Sequence, residues 1–189
     1  LQSLDLPSDT PGTEPPDRAT GQFWADARRD EVEFANREPA VLVVGAGQAG
    51  LSTGAWLKHL GVDALIVDRF ARVGDTWRSR YRALTLHNDT RMNHLPFLPF
   101  PDFFPPYIPK DKLGNWFEFY ADTLELNVWT STTFVNGEYD PARGRWNVTV
   151  DRNGTPRILH PRHLVLATGV SGAPLLPDLP GLADFQGTA

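Results

Sequence analysis

The alternation of apolar and polar positions divides the chain into segments of distinct period. An unbroken apolar run at Val41–Val44 is followed by apolar positions at helical spacing over 51–60, and then by a second apolar run at Ala64–Val67. The helical segment is expected to bury Leu51, Ala55, Leu57 and Leu60 on one side. Short unbroken apolar runs are typical of strands that are buried on both faces of a parallel sheet. The order strand, helix, strand therefore predicts a βαβ unit with both strands in one sheet.

Two other segments have a helical period. Residues 22–38 carry Phe23, Ala27 and Phe34 among charged residues and end before Pro39, which predicts a lead-in helix lying against the sheet. Residues 110–126 predict an amphipathic helix whose apolar stripe is core packing. That stripe consists of Leu113, Trp116, Phe117, Tyr120, Ala121 and Leu124.

The second half of the chain has a period of two. Alternation over 133–139, 145–150 and 156–160 is interrupted at Asp140-Pro141 and at Asn153-Gly154, which predicts three strands in an antiparallel meander. Residues 127–130 and the apolar run from His163 to Gly169 predict two further sheet strands, and 84–89 predict a short one. The fold class is thus α/β, a Rossmann-like parallel sheet with an inserted antiparallel β-meander.

Two segments are rich in proline. Residues 1–21 combine proline with small polar residues and predict a flexible linker, because they cannot bury enough apolar surface to offset their ordering entropy. Residues 95–109 alternate prolines with phenylalanines, which predicts a stiff, extended loop. This loop is either a buried crossover or the wall of a substrate channel.

The turn after the first strand has the chemistry of a dinucleotide site. Gly45 permits a tight turn, Gly47 lets backbone approach a diphosphate, and Gly50 lets the helix pack close to the strand. The first amides of that helix lack intrahelical acceptors and attract phosphate. Asp68 ends the second strand about 20 residues on, where a carboxylate can bind ribose hydroxyls. The motif alone does not distinguish FAD from NAD.

Composition and charge narrow the possible functions. The chain has 189 residues, a net charge of −5 and no cysteine, which excludes disulfides and thiolate metal sites and gives no basic footprint for nucleic acid. No apolar run has the length of a membrane span, and we expect a cytoplasmic protein. His87 has no second ligand at metal spacing, so we predict no metal site.

The arginines and aromatic residues over 69–81 leave two interpretations open. Guanidinium groups beside Trp77 and Tyr81 suit a large, flat, partly anionic ligand. The same composition fits a surface loop that one aromatic side chain holds in place.

Together these motifs resemble the FAD-binding half of the flavin-containing monooxygenases. The resemblance rests on the Gly45–Gly50 turn, Asp68, the segment from Gly74 to Arg78, Leu86-His87, the Pro/Phe-rich loop and Ala167-Thr-Gly169. It implies a glutathione-reductase-like FAD domain over 39–176, followed at 177–189 by the start of a connection to an NADPH-binding domain. The resemblance also implies that Gly45, Gly47, Gln48, Ala49 and Gly50 hold the FAD diphosphate and that Asp68 binds the adenosine ribose. Further implied cofactor contacts are Thr76, Trp77, His87, Asn88, Asp89, Ala167 and Gly169, and Phe134 or Val135 at the adenine.

The chain departs from the family pattern in lacking a second glycine-rich turn. It resembles an N-terminal fragment whose partner is the rest of the same polypeptide, with the NADPH site mostly outside this chain. The implied function of the whole protein is NADPH-dependent oxygenation of a small organic substrate (at nitrogen, at sulfur or at a ketone) through a flavin hydroperoxide, with no side chain assigned as a catalyst. We expect the fragment alone to be inactive. The alternatives are a non-catalytic truncated FAD-binding module and an NAD-linked reductase.

Overall fold

The computed structural model describes residues 24–170, 177–181 and 184–187. The predicted linker over 1–21 and the start of the predicted lead-in helix, Phe23 included, lie outside the described residues. So do residues 171–176 at the end of the predicted FAD domain, and four residues of the predicted connection.

A four-stranded parallel sheet lies at the centre of the fold. Its spatial order is β3-β2-β1-β7, with β1 (Val41–Val44), β2 (Ala64–Val67), β3 (Val128–Trp129) and β7 (His163–Leu166). Strand β1 pairs in parallel with β2 on one side and with β7 on the other, so Val44 aligns with both Val67 and Leu166. The predicted βαβ unit and parallel sheet are confirmed, and the carboxyl ends of three strands meet at one edge.

In the described part of the chain, four α-helices accompany the sheet, namely α1 (Trp24–Glu33), α2 (Gln48–His59), α3 (Asp75–Arg78) and α4 (Lys110–Thr123). Helix α2 begins three residues earlier than predicted. Leu51 and Ala55 are buried as expected, but Leu60 is 68% exposed because it caps the helix end and leaves the helical stripe. Its predicted burial is wrong.

The two faces of the sheet bury two separate apolar clusters. Val41 and Val43 contribute to the cluster that includes α2, α4 and the Pro/Phe-rich loop. Leu42 and Val44 point to the opposite face, where they pack with residues of the meander. Alternate side chains of one strand therefore serve two cores, which explains why the whole run is apolar.

The antiparallel meander is confirmed. It consists of β4 (Thr132–Asp140), β5 (Arg145–Arg152) and β6 (Thr155–Leu159). The turn between β5 and β6 has Asn153 at φ 53° and Gly154 at φ 79°, the positive angles that a two-residue hairpin requires. A bulge between Phe134 and Asn136 interrupts the register of β4.

Helix α1 lies on the meander side of the sheet, but not through the apolar stripe that the sequence predicts. Ala27 is exposed, and Phe34 follows the helix with φ 50° and is buried there. The attachment is largely polar, because Arg28 donates to the carbonyl oxygens of Glu125 and Leu126, just beyond the end of α4. The carbonyl oxygen of Glu125 also accepts from Nζ of Lys58 at 2.7 Å.

The segment between α3 and α4 differs from prediction. Residues 84–89 form no strand; Thr85 makes an isolated bridge to Pro109, and a 3₁₀ helix follows at Thr90–Met92. In the Pro/Phe-rich loop Phe100 is buried, whereas Phe103 is 78% exposed. The loop is thus partly buried, which agrees with its interpretation as a buried crossover.

Within the described ranges, no helix has the length and apolar character needed to cross a bilayer. Those ranges also contain no group of three or more histidine or carboxylate side chains placed to hold a metal ion.

Candidate dinucleotide site

The turn after β1 is held in a conformation that requires glycine. Gly45 has φ 108°, and its amide donates to the carbonyl oxygen of Val67 at 2.8 Å. A Cβ atom at Gly45 would lie 2.4 Å from the carbonyl oxygen of Ala167. Both the backbone angle and the neighbouring strand end therefore exclude a side chain here.

The other two glycines of the motif have different environments. A Cβ atom at Gly50 would lie 1.7 Å from the carbonyl oxygen of Gly45, so this glycine allows α2 to start directly against the turn. At Gly47 no heavy atom lies within 4 Å of such a Cβ. Gly47 therefore faces open space, and packing does not require it to be glycine.

The N-terminus of α2 presents unmet amide donors at this turn. Gly47 is the N-cap residue and supplies no side-chain cap, and the first turn carries no acidic residue. Gln48 and Ala49 are exposed there. An uncapped helix start whose first turn carries no acidic side chain is suited to an anion, because its amides and its dipole both attract one.

Asp68 lies at the mouth of the turn. Its Oδ2 accepts a hydrogen bond from the amide of Ala46 at 2.6 Å, and its Oδ1 accepts one from the amide of Phe70 at 2.9 Å. The carboxylate is therefore in contact with the turn, and its binding of a ribose stays a prediction.

The end of β7 completes this group. The amide of Ala167 donates to the carbonyl oxygen of Val44 at 2.8 Å. A Cβ placed on Gly50 would lie 3.5 Å from the Cβ of Ala167. Gly169 follows with φ 80° and is exposed. The structure thus brings together the glycine turn, Asp68 and Ala167 at the carboxyl edge of the sheet, where ligands of open α/β sheets bind.

The arginines after Asp68 are used within the protein. Arg72 makes two hydrogen bonds to the carboxylate of Glu118 on α4, and Arg78 donates to Glu118 at 2.9 Å and to Asp75 at 2.8 Å. Hydrogen bonding from Arg72 lowers the pKa of the Glu118 carboxyl. Of the two interpretations of this segment, these arginines support the structural one.

Thr76 and Trp77 lie in the same segment, on the single turn of α3. Both are partly exposed, and Trp77 packs against the core cluster that contains α2 and α4. The position of α3 is set by Gly74, where a Cβ would lie 2.2 Å from the carbonyl oxygen of Gly114 on α4. This contact was not predicted from the sequence, although a glycine inside the apolar stripe of a helix is a signal of close backbone approach.

The predicted flavin-side residues lie in the loop before the 3₁₀ helix. His87 is exposed, and Asn88 and Asp89 are partly exposed. The Asp89 carboxylate caps the 3₁₀ helix by accepting from the amide of Arg91 at 2.9 Å, and bonds from Arg91 lower its pKa. The contacts of Asp89 are thus local to its own loop.

Comparison with known proteins agrees with this geometry. The model of a family described as an FAD binding domain matches residues 38–95, which include the glycine turn, Asp68 and the 87–89 loop. The chain is 38% identical over 152 residues to the indole-3-pyruvate monooxygenase YUCCA1 of Oryza sativa subsp. japonica, covering 80% of this chain and 37% of that protein. It is 34% identical to the probable indole-3-pyruvate monooxygenase YUCCA4 of Arabidopsis thaliana, covering 79% of this chain and 36% of that protein.

A solved structure shows the same fold. The flavin-containing monooxygenase from Stenotrophomonas maltophilia superposes with a TM-score of 0.68 at 27% identity, covering 78% of this chain and 43% of that one. The chain therefore spans little more than a third of the length of the curated relatives that it matches.

Proposed function

We propose that this chain, which belongs to the flavin monooxygenase family and corresponds to its N-terminal portion, binds FAD at the carboxyl edge of its parallel sheet. The observation that carries the proposal is the contact of the Asp68 carboxylate with the Ala46 amide at the glycine turn. A carboxylate at this place is within reach of a ribose whose diphosphate lies on the turn.

The diphosphate would lie on the backbone of the turn and the start of α2. Open space at Gly47 and the absence of acidic residues from the first turn of α2 support this placement. The residues that would hold the diphosphate are Gly45, Gly47, Gln48, Ala49 and Gly50.

The remaining contacts extend along the cofactor. Ala167 and Gly169 would lie beneath the diphosphate, Thr76 and Trp77 along the ribityl chain, and His87, Asn88 and Asp89 near the isoalloxazine. At the adenine, the bulge of β4 supports backbone contact, because it leaves Val135 out of the ladder register.

For the whole protein we propose an NADPH-dependent flavin monooxygenase acting on a small organic substrate in the cytoplasm. Bound FAD would supply the oxygen-activating chemistry, which we propose proceeds through a flavin hydroperoxide. The protein would supply binding, orientation and exclusion of water. Two similar proteins are named for indole-3-pyruvate, which makes that acid the first substrate to test. Oxidation of an amine, a sulfide or another ketone is the broader class.

The outer edge of β7 supports a partner in the rest of the polypeptide. Among the described residues no strand pairs with this edge, and Leu166 on it is 65% exposed. An edge strand presents unpaired backbone groups, which natural proteins usually pair or cover, so this edge is suited to further structure beside it. We propose that the rest of the polypeptide, including an NADPH-binding domain, packs beside it.

The test is titration of the 189-residue chain with FAD and, in parallel, with NAD. We expect one FAD per chain, with a change in flavin fluorescence and absorbance, and weaker binding of NAD. Tighter binding of NAD would instead favour an NAD-linked reductase. If neither dinucleotide binds, the proposal is wrong.

Steady-state turnover separates the cofactor-binding portion from the complete enzyme. With FAD bound and NADPH added, the 189-residue chain should show no NADPH oxidation above that of free FAD, since the second glycine-rich turn lies outside it. Robust NADPH oxidation by this chain alone would contradict the proposal that the NADPH site lies mostly in the rest of the polypeptide.

A further inference from the structure

Asp68 connects the glycine turn to the end of β2 through its side chain. Each carboxylate oxygen has one backbone donor, the amide of Ala46 at 2.6 Å and that of Phe70 at 2.9 Å. Hydrogen bonds to a carboxylate are about twice as strong as those between neutral groups. The carboxylate thus links the glycine turn to the end of β2, although α2 lies between the turn and β2 in the sequence.

The backbone of Asp68 is itself fixed. Its amide donates to the carbonyl oxygen of Trp129 at 2.9 Å, and its carbonyl accepts from the amide of Thr132 at 2.8 Å. The side chain therefore extends from a residue that is anchored to β3 and to the start of β4. A carboxylate on such a base can hold the turn in place, because little movement of its own backbone is available.

We infer that Asp68 is a positioning residue that fixes the glycine turn in its binding conformation before any dinucleotide arrives. The identity of the ligand rests on the proposed function, but the positioning role does not. Because the turn is already ordered, binding costs no further conformational entropy there, and the turn binds a diphosphate more tightly than a mobile turn would.

A second consequence concerns which amides are free. The amide of Ala46 is already bonded to Asp68, so it is not among the donors for phosphate. The donors are then the amides of Gly47, Gln48, Ala49 and Gly50 at the start of α2, which the helix geometry leaves without intrahelical acceptors, since the first intrahelical bond runs from Leu51 to Gly47.

Amide hydrogen exchange of the 189-residue chain without added dinucleotide tests this role. We expect the Ala46 amide to exchange at least about tenfold more slowly than that of Gln48, because a bonded amide must open before it exchanges. In Asp68→Ala, exchange at Ala46 should accelerate at least about tenfold more than exchange at Val43, the reference amide in the centre of the sheet. A general loss of stability would accelerate both amides together.

Asp63→Ala is the matched control. Asp63 lies at the other end of β2 and pairs with Arg37 at 2.9 Å, so its loss removes a carboxylate without touching the turn. Exchange at Ala46 relative to Val43 should stay unchanged in this variant.

Equal exchange of Ala46 and Gln48 in the unsubstituted chain would overturn the inference, and this comparison decides even if Asp68→Ala does not fold. Equal acceleration of Ala46 and Val43 in Asp68→Ala would overturn it too. A protected Ala46 in a chain that binds no FAD supports the positioning role and contradicts the proposed function. An unprotected Ala46 in a chain that binds FAD contradicts the positioning role and supports the proposed function.

Discussion

At the scale of single residues, the three motif glycines are needed for three different reasons. Gly45 is required by its backbone angle of 108° and by the strand end beside it. Gly50 is required by packing alone, since its own φ is unremarkable and a Cβ would meet the carbonyl oxygen of Gly45. Gly47 is required by neither, so any need for glycine at that position comes from a ligand.

This difference predicts opposite outcomes for Gly50→Ala and Gly47→Ala. Gly50→Ala forces a methyl group onto backbone, so it should cost about 1–3 kcal/mol or more and lower Tm by several degrees. Gly47→Ala should cost less than about 1 kcal/mol as an N-cap change, yet weaken FAD binding at least about tenfold. Thermal unfolding without FAD and FAD titration measure the two effects.

Each variant serves as the control for the other. If Gly47→Ala binds FAD as tightly as the unsubstituted chain, the diphosphate does not lie against this glycine. If Gly50→Ala unfolds at the same temperature as the unsubstituted chain, α2 can move away from the turn, and the close packing is not essential.

The glycine turn could be predicted from sequence because its constraints are local. Turn, helix start and strand end follow one another within about 25 residues, and each glycine acts on its immediate neighbours. The bond from Ala46 to Asp68 could not be predicted in the same way. It depends on the register of β1 against β2 and on the rotamer of one side chain, neither of which the pattern of residue types specifies.

At the scale of elements, the junction of α3 and α4 shows how charged groups fix a short helix. A helix of one turn has almost no stability of its own. Here the close approach of Gly74 to Gly114 brings Arg72 and Arg78 to the same carboxylate, that of Glu118. The ion pairs thus hold the segment that carries Thr76 and Trp77, two of the predicted cofactor contacts.

Glu118→Gln should destabilise the protein at neutral pH, and this difference should shrink in acid. Hydrogen bonding from Arg72 lowers the pKa of Glu118 below its ordinary value of 4.5, so the folded state favours the charged form. The resulting stability is fully present above pH 4.5 and is lost as pH falls through the lowered pKa. We expect Tm to fall by about 2–4 °C at pH 7, for a network worth about 1 kcal/mol.

Glu138→Gln is the matched control, since Glu138 is exposed on β4 and takes no part in the ion pairs of Glu118. Thermal unfolding of both variants from pH 7 down to pH 3 measures the effect. If Glu118→Gln lowers Tm by the same amount at pH 3 as at pH 7, the charge of Glu118 contributes nothing to stability, and only the shape of its side chain does.

The elements differ in how well sequence predicted them. Helix α4 and the meander were predicted because long periodic segments carry their own signal. The prediction of a strand over 84–89 was wrong because a short alternating pattern carries no information about a pairing partner. Within this segment only Thr85 pairs with another residue, in an isolated bridge to Pro109. The burial of Leu60 was wrong because the helix ends one residue before it.

At the scale of the whole molecule, Trp129 joins three parts of the fold. It is 1% exposed, pairs through β3 with β2, and donates from Nε1 to the carbonyl oxygen of Val32 in α1 at 2.7 Å. The guanidinium group of Arg152, from the meander, lies 4.1 Å from its ring centroid. The lead-in helix, the parallel sheet and the meander therefore meet at one side chain.

The overall class was within reach of sequence reasoning, but this meeting point was not. The α/β class follows from the periods of the strands and helices. The order β3-β2-β1-β7 places Trp129 on an edge strand, and side-chain packing brings α1 and the meander to it. The periods of the sequence specify neither.

Trp129→Phe should therefore loosen α1 more than any other helix. The phenyl ring keeps much of the packing but removes the donor to Val32 and the larger ring beneath Arg152, so we expect a loss of about 1–3 kcal/mol. Amide exchange of residues 24–33 should accelerate more than that of α2, and thermal unfolding should report the total loss. The control is Trp24→Phe, because Trp24 is 61% exposed on α1 itself. If α1 stays as protected as in the unsubstituted chain, Arg28 and its carbonyl partners hold the helix without Trp129, and the three parts are joined elsewhere.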